Sequence, residues 1–255
     1  MNKPKILFFD IETSTILAHT WGLWDQNVSL DQIEKDLSVL SWAAKWDDSD
    51  EVMYMDLRGR KNPRDDRPIL KGIWKLLDKA DIVVTQNGKK FDVPRLNARF
   101  IANGMQPPSH YRHIDTLELA KRKFGFTSNK LAYMTDKLNK KYKKLSHKKF
   151  PGFELWKECL AGNLKAWKEM EKYNKYDVLS LEELYNTLRP WGIGVNMGVY
   201  SDTPNPKCVC GSRYRKKGFY YTQAGRYQRY RCLKCGSQTY SGKNLLQNKS
   251  RKEIR

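Results

Sequence analysis

Ile6-Leu7-Phe8-Phe9 is a run of four large apolar residues that stops abruptly at Asp10-Ile11-Glu12. So short and dense a run reads as a buried strand over residues 5–12, and a buried strand needs other elements packed around it. Residues i and i+2 of a strand face the same side, so Asp10 and Glu12 point together. Two ionised carboxylates side by side at the mouth of an apolar strand repel unless cations lie between them. A pair of Mg²⁺ or Mn²⁺ ions satisfies that geometry. A solvated strand edge is the plain alternative.

The rest of the chain supplies the cover. Val39–Trp46 and 51–57 flank an Asp/Ser turn and read as a hairpin. Ile69, Leu70, Ile73, Leu76 and Leu77 have helical spacing over 68–79, and 81–85 is a second short buried strand. Pro94 marks the first turn of a further helix. Helices are expected at Thr116–Lys123, 131–141 and Leu164–Leu188. Strands interspersed with helices place residues 1–191 in the α/β class. Residues 192–206 hold Gly192, Gly194, Gly198, Pro204 and Pro206 and no helical period, so they read as a linker. A small module over 207–242 and a basic flexible tail over 243–255 complete the expected layout. Residues of the AVILMFWYC set make up 40% of the chain, enough for a sizeable core. No run approaches the roughly 18 apolar residues of a membrane span, and no signal peptide is recognisable, so a cytoplasmic protein without a membrane partner is expected.

Two further carboxylates stand in informative places. Asp92 closes Asn87-Gly88-Lys89-Lys90-Phe91-Asp92, directly after the second strand. It reads either as a site residue or as the cap of the helix that Pro94 begins, with Asn87-Gly88 as a turn. Asp177 lies in a stripe of Trp167, Met170, Asn174, Leu181, Leu184 and Leu188, which share one helix face. Buried and unpaired, its charge would cost several kcal/mol, so a Lys, an Arg or a metal must compensate it. Tyr173, one turn earlier at i−4, reaches the same place. Asp115 and Glu118 have capping-box spacing and mark a helix start. Cys159, beside Leu155 and Leu160, reads as a small buried hydrophobe.

Taken in order, Asp10-x-Glu12, Asn87-x-x-x-Phe91-Asp92 and Tyr173-x-x-x-Asp177 resemble the three motifs of the DEDD (DnaQ-like) 3′→5′ exonucleases. That superfamily has a ribonuclease H-like fold, a mixed sheet flanked by helices. Tyr at i−4 before the last Asp resembles the tyrosine subclass, whereas the histidine subclass places His at i−5, here Lys172. Thr20-Trp21-Gly22-Leu23 and Glu182-Glu183-Leu184-Tyr185 resemble exonucleases of this fold carried by bacteriophages, which would place the chain in the host cytoplasm or nucleoid. The resemblance covers about residues 5–190. It implies that Asp10, Glu12, Asp92 and Asp177 hold two Mg²⁺ or Mn²⁺ ions for phosphodiester hydrolysis. With an ordinary pKa near 10, Tyr173 is a poor base and is expected to orient the attacking water. The implied substrate is a single-stranded 3′ end, with DNA favoured over RNA, and Asn87 is among the expected substrate contacts.

Cys208-x-Cys210 and Cys232-x-x-Cys235 give four thiols in two knuckle-like pairs, matching a structural Zn²⁺ site. The segment resembles a zinc ribbon, apart from a first pair one residue shorter than the usual C-x-x-C. A disulfide pair or idle thiols are the alternatives.

The net charge of +20 is localised. Residues 121–149 carry 11 Lys/Arg against Asp136 alone, and residues 196–255 carry 14 against Asp202 and Glu253. A solvated lysine face is an equal reading of the first segment. In the second, Tyr214, Phe219, Tyr220, Tyr221, Tyr227 and Tyr230 interleave with Arg213, Arg215, Arg226, Arg229 and Arg231. Rings that stack on bases beside guanidinium groups that pair with phosphates suit nucleic acid. Arg213, Arg226, Tyr227, Arg229, Tyr230 and Arg231 are the expected contacts. Two readings compete with an exonuclease: a structure-specific endonuclease on the same fold, and a non-catalytic nucleic-acid-binding protein.

Overall fold

A computed structural model describes residues 4–192, 207–208 and 210–246. The described residues divide into two compact units, one spanning 5–185 and the other holding Pro4 and the described residues from 186 onward. The expected linker at 193–206 and the tail from 247 lie outside the described residues.

The larger unit is built on a five-stranded sheet of order β5-β4-β1-β6-β7. Its strands are β1 (Ile6–Thr13), β4 (Val39–Trp46), β5 (Met53–Asp56), β6 (Ile82–Thr85) and β7 (Arg112–Asp115). A two-stranded pair, β2 (Leu17–Ala18) and β3 (Ile33–Lys35), lies between β1 and β4 in sequence. The β1–β4 and β4–β5 pairs are antiparallel, and β1–β6 and β6–β7 are parallel, which makes the sheet mixed. The apolar run with which the chain begins is thus the central strand.

The period of two along β1 sorts its side chains onto two faces. Leu7, Phe9 and Ile11 join a buried cluster with Ile69, Leu70, Ile73 and Leu77 of α1 (Arg67–Lys79) and Leu96 and Phe100 of α2 (Asp92–Ala102). Phe8 turns the other way and meets Tyr185 of α6 (Leu164–Leu188) edge to face at 5.6 Å. Asp10 and Glu12 continue the Phe8 row and therefore face α6. The predicted stripe of α6 is buried throughout, with Trp167, Met170, Asn174, Asp177, Leu181, Leu184 and Leu188 each at most 3% exposed.

The sequence-predicted elements match except in a few places. α3 (Thr116–Lys123) keeps its bounds, but α4 (Leu131–Leu138) ends before the predicted 141. The chain leaves the helix because Asn139 donates from its side chain to the carbonyls of Tyr142 and Ser180. The Glu183 carboxylate of α6 then accepts the N–H groups of Lys140, Lys141 and Tyr142 in succession. These charge-assisted bonds strap residues 140–142 to α6. β7 and α5 (Glu154–Leu160) have no distinct sequence signal. Arg112-His113-Ile114-Asp115 lacks alternation and forms a strand by pairing with β6.

No helix among the described residues is long and apolar enough to cross a membrane. The second unit carries a three-stranded antiparallel sheet of order β10-β9-β8, made of β8 (Tyr214–Thr222), β9 (Gly225–Cys232) and β10 (Gln238–Asn244).

Candidate active site

Asp10, Glu12 and Asp177 converge so closely that one carboxylate oxygen of each lies within 4.8 Å of the others. Each carboxylate has its own tether. Asn174, one helical turn before Asp177, donates from Nδ2 to Asp10 Oδ2 at 2.6 Å, and its Oδ1 accepts from Ser41 of β4 at 3.1 Å. Trp156 of α5 donates its indole N–H to Glu12 Oε2 at 3.0 Å. Lys144 places its ammonium 2.5 Å from Asp177 Oδ2. The other oxygen, Asp177 Oδ1, is buried without a hydrogen-bond partner among the described residues. A buried carboxylate with an orphaned oxygen, clustered with two more carboxylates, is a poor arrangement for a metal-free protein and a fitting one for a hard divalent cation.

Asp92 approaches from a different direction. It is the first residue of α2, one past the N-cap position, which Phe91 holds. Its carboxylate crosses to β1 and accepts the N–H of Ile11, between Asp10 and Glu12, at 3.1 Å. The loop that carries it is held by Asp115, which accepts from the N–H groups of Asn87 and Lys89 and caps α3 through Leu117 N–H. The expected capping box is only half formed, because Glu118 pairs with Lys89 at 2.6 Å. Asn87 takes a left-handed backbone, φ 66°, and a Cβ on Gly88 would lie 2.3 Å from the Thr85 hydroxyl. No side chain fits there, so the Asn-Gly pair is a steric requirement of this turn.

Electrostatics follow from crowding. Burial first, then Asp92, Asp177 and Glu12, raise Asp10 well above the ordinary carboxylate value against the pull of Lys144. Burial and Asp177 push Glu12 to about 8, opposed by Lys144 and the Trp156 indole. Burial lifts Asp92 to about 7, although the Ile11 N–H favours its ionised form. Asp177 is raised by burial despite Lys144. Burial works against the Lys144 charge, but Asp177, Tyr173 and Asp10 outweigh it and hold the ammonium protonated.

Tyr173 lies in an aromatic nest, its ring 5.3 Å from His147 and 6.2 Å from Trp156 between centroids, with the Lys144 ammonium 4.5 Å from its own centroid. Burial and then Asp177 raise its phenol, so at neutral pH it is a proton donor rather than a base. Trp156, Asn174, Lys144 and His147 are neighbours of the carboxylates that the sequence reading passed over. Asn174 alone had a signal, as a polar residue within the buried stripe.

Beside the site, a groove of about 600 Å³ is lined by Asn87, Lys121, Thr127, Asn129, Lys130 and Lys144, with other residues between them. Part of the basic segment 121–149 therefore faces a concave surface. Lys143 instead pairs with Asp136 at 3.0 Å.

In the second unit, Cys208, Cys210, Cys232 and Cys235 bring one sulfur each within 4.8 Å of the rest. Cys208 and Cys235 sulfurs are 3.5 Å apart and Cys210 and Cys232 sulfurs 3.4 Å, too far for disulfides, which need about 2.05 Å. Tetrahedral Zn²⁺ with Zn–S bonds of about 2.3 Å has sulfur–sulfur edges near 3.8 Å, so four thiolates in this arrangement fit it. The short Cys-x-Cys pair does not alter the closure of its knuckle. Cys208 N–H donates to Ser212 C=O at 2.9 Å, as Cys232 N–H donates to Ser237 C=O at 2.8 Å. Burial raises the Cys232 thiol, but the amides of Cys235 and Lys234 outweigh it and bring the group to about 6.

The six basic and aromatic residues expected to touch nucleic acid are not one surface. Arg213 precedes β8. Strand register places Tyr227, Arg229 and Arg231 on one face of the small sheet and Arg226 and Tyr230 on the other.

A model of the RNase H superfamily matches residues 7–189. No curated protein matches the chain. Among solved structures, it is similar to the family B DNA polymerase of the hyperthermophilic archaeon Pyrobaculum calidifontis, with a TM-score of 0.52 and 18% identity. The likeness covers 73% of this chain and 25% of the polymerase, so the chain spans about a quarter of that protein's length, and at this identity the likeness is one of fold. Together with the mixed sheet and its converging carboxylates, the family match over most of the chain shows that the protein belongs to the RNase H superfamily.

Proposed function

We propose that the protein is a metal-dependent 3′→5′ exonuclease that hydrolyses single-stranded nucleic acid, DNA by preference, with two divalent ions. The observation that carries this reading is the convergence of Asp10, Glu12 and Asp177, the last with an unpartnered Oδ1. RNase H superfamily membership and the tyrosine-subclass motif order support it.

Asp10, Glu12 and Asp177 would hold the ions, with Asp92 beside Asp10. Carboxylate oxygens suit Mg²⁺ or Mn²⁺, which when bound acidify a coordinated water and offset charge building on the phosphate. Tyr173, held neutral, donates a hydrogen bond that orients the nucleophilic water. The Lys144 ammonium remains charged beside the reacting phosphate. The rings of His147 and Trp156 narrow the pocket and exclude bulk water, which strengthens each electrostatic contact there. Lys121, Lys130 and Asn129 line a groove that suits the outgoing strand, and the cysteine-clustered module, as a basic zinc ribbon, adds affinity for the same polymer.

Linear and circular single-stranded DNA of one sequence separate the possible cuts. Degradation of the linear form alone, in Mn²⁺, is expected. Nicking of the circle would transfer the chemistry to an endonuclease, and two intact substrates that still bind would favour a binding protein.

A further inference from the structure

The small sheet of the second unit carries two different faces. On one, Tyr220, Tyr227 and Tyr240 form a cluster that crosses all three strands. Tyr220 and Tyr240 stack at 4.4 Å with 14° between their planes, and Tyr227 lies 5.7 Å from Tyr240. The Tyr227 ring folds back over Gly225, where a Cβ would come within 2.6 Å of it. A cluster formed only to stabilise the sheet would bury its rings, yet Tyr220 remains 40% and Tyr240 52% exposed. Arg229 stands opposite Tyr240 in the register, and its guanidinium Nε donates to the Lys217 carbonyl of β8 at 2.8 Å. On the other face, the Arg226 guanidinium already covers the Phe219 ring at 4.8 Å. No Asp or Glu occurs anywhere from 203 to 252, so the open rings lie in a purely cationic field.

We propose that single-stranded nucleic acid binds the tyrosine face of this sheet, its bases stacking on the Tyr220–Tyr240 pair while Arg229 and its neighbours meet the phosphates. Only a partner with flat apolar rings on a polyanionic backbone satisfies both halves of this surface. A duplex keeps its bases stacked inward and satisfies only the second. The proposal deepens the nuclease reading and rests on its nucleic-acid substrate, but it concerns a surface outside the carboxylate site.

The test is fluorescence anisotropy with 5′-fluorescein-labelled dT20 and a labelled 20-base-pair duplex, using the full-length, zinc-loaded Asp10→Ala protein so that no probe is cut. Tyr240→Leu keeps the apolar packing of the cluster but removes the ring, and Tyr240→Phe keeps the ring. The Leu variant is expected to bind dT20 about tenfold more weakly and the Phe variant within twofold of the parent. Tyr221→Ala, on the opposite face, should also stay within twofold. Tyr240→Leu should leave duplex affinity unmoved, and zinc content, assayed after thiol release, should remain one per chain. Equal dT20 binding by the Leu and Phe variants would overturn the proposal, as would a Tyr221→Ala loss matching that of Tyr240→Leu. A chain that binds in this pattern but never cuts would retain the proposal while defeating the exonuclease reading.

Discussion

Lys144 is the resident counter-ion of Asp177, its Nζ 2.5 Å from Oδ2, while Oδ1 of the same carboxylate is left without a partner. One oxygen of this buried acid is thus neutralised by the protein, and the same carboxylate converges with Asp10 and Glu12. The placement of Lys144 traces back to Glu183, which straps residues 140–142 to α6, and to Thr135, whose hydroxyl accepts the Lys144 N–H at 3.2 Å.

Removing the ammonium leaves a buried carboxylate cluster with less compensation. Lys144→Met is expected to cost about 3 kcal/mol in protein without added divalent ion. Saturating Mn²⁺ should restore most of that, because the ion replaces the lost positive charge. Calorimetric unfolding with and without Mn²⁺ checks this; equal losses in both conditions would contradict it.

The raised carboxylates give the stability of the metal-free site a definite pH dependence. Glu12 at about 8 and Asp92 at about 7 hold protons more tightly folded than unfolded. Their favourable contribution is complete below the unfolded values near 4 and is lost as pH rises through 7 and 8. Without Mg²⁺ or Mn²⁺, Tm should fall by about 5 °C or more between pH 5 and 8.5. Added Mn²⁺ should raise Tm more at pH 8.5 than at pH 6, since binding then displaces fewer protons. A Tm rising over that range in metal-free buffer would refute the assignment.

Tyr173 acts through its hydroxyl if it orients water. Tyr173→Phe preserves the ring among His147, Trp156 and Lys144, so KM should change little while kcat falls by about 10²-fold. An unchanged kcat would remove the phenol from the chemistry.

Zinc in the cysteine cluster would stabilise the second unit specifically. Cys232→Ser is expected to lose the metal and weaken oligonucleotide binding, with a shallower dependence of affinity on salt. Hydrolysis of a dinucleotide, too short to bridge separate surfaces, should persist. Zinc analysis alongside salt titrations tests this, and a wild-type salt slope in a zinc-free variant would argue against a binding role.

Legibility in the sequence varied with how local each feature is. The central strand, the hairpin, α1 and the buried stripe of α6 follow from spacing, because one periodic face decides each of them. Asp10, Glu12 and Asp177 could be singled out since a charge in an apolar pattern has no local reason to be there. Asp92 was readable as a residue but not as a contact, because its bond to Ile11 joins positions 81 apart. Trp156 and Lys144 were harder still. Trp156 reaches Glu12 from 144 positions away, on a short helix with no distinct signal. Lys144 is one lysine among many in 121–149, chosen only by the Asn139 and Glu183 contacts that end α4 early. Alternation along β9 divides the basic residues of the second unit between two faces, while the bulge between Lys216 and Phe219, which composition does not reveal, sets which β8 side chains join each face.

The most direct measurement is a time course on a 5′-labelled single-stranded oligonucleotide, as DNA and as RNA, with Mn²⁺, with Mg²⁺ and with no divalent ion. Wild type should be compared with Asp10→Ala and Asp177→Ala. A ladder that shortens one nucleotide at a time from the 3′ end, needs the divalent ion and disappears in both variants is the predicted result. A wild-type substrate left intact under every condition, or a ladder that survives both substitutions, would contradict it.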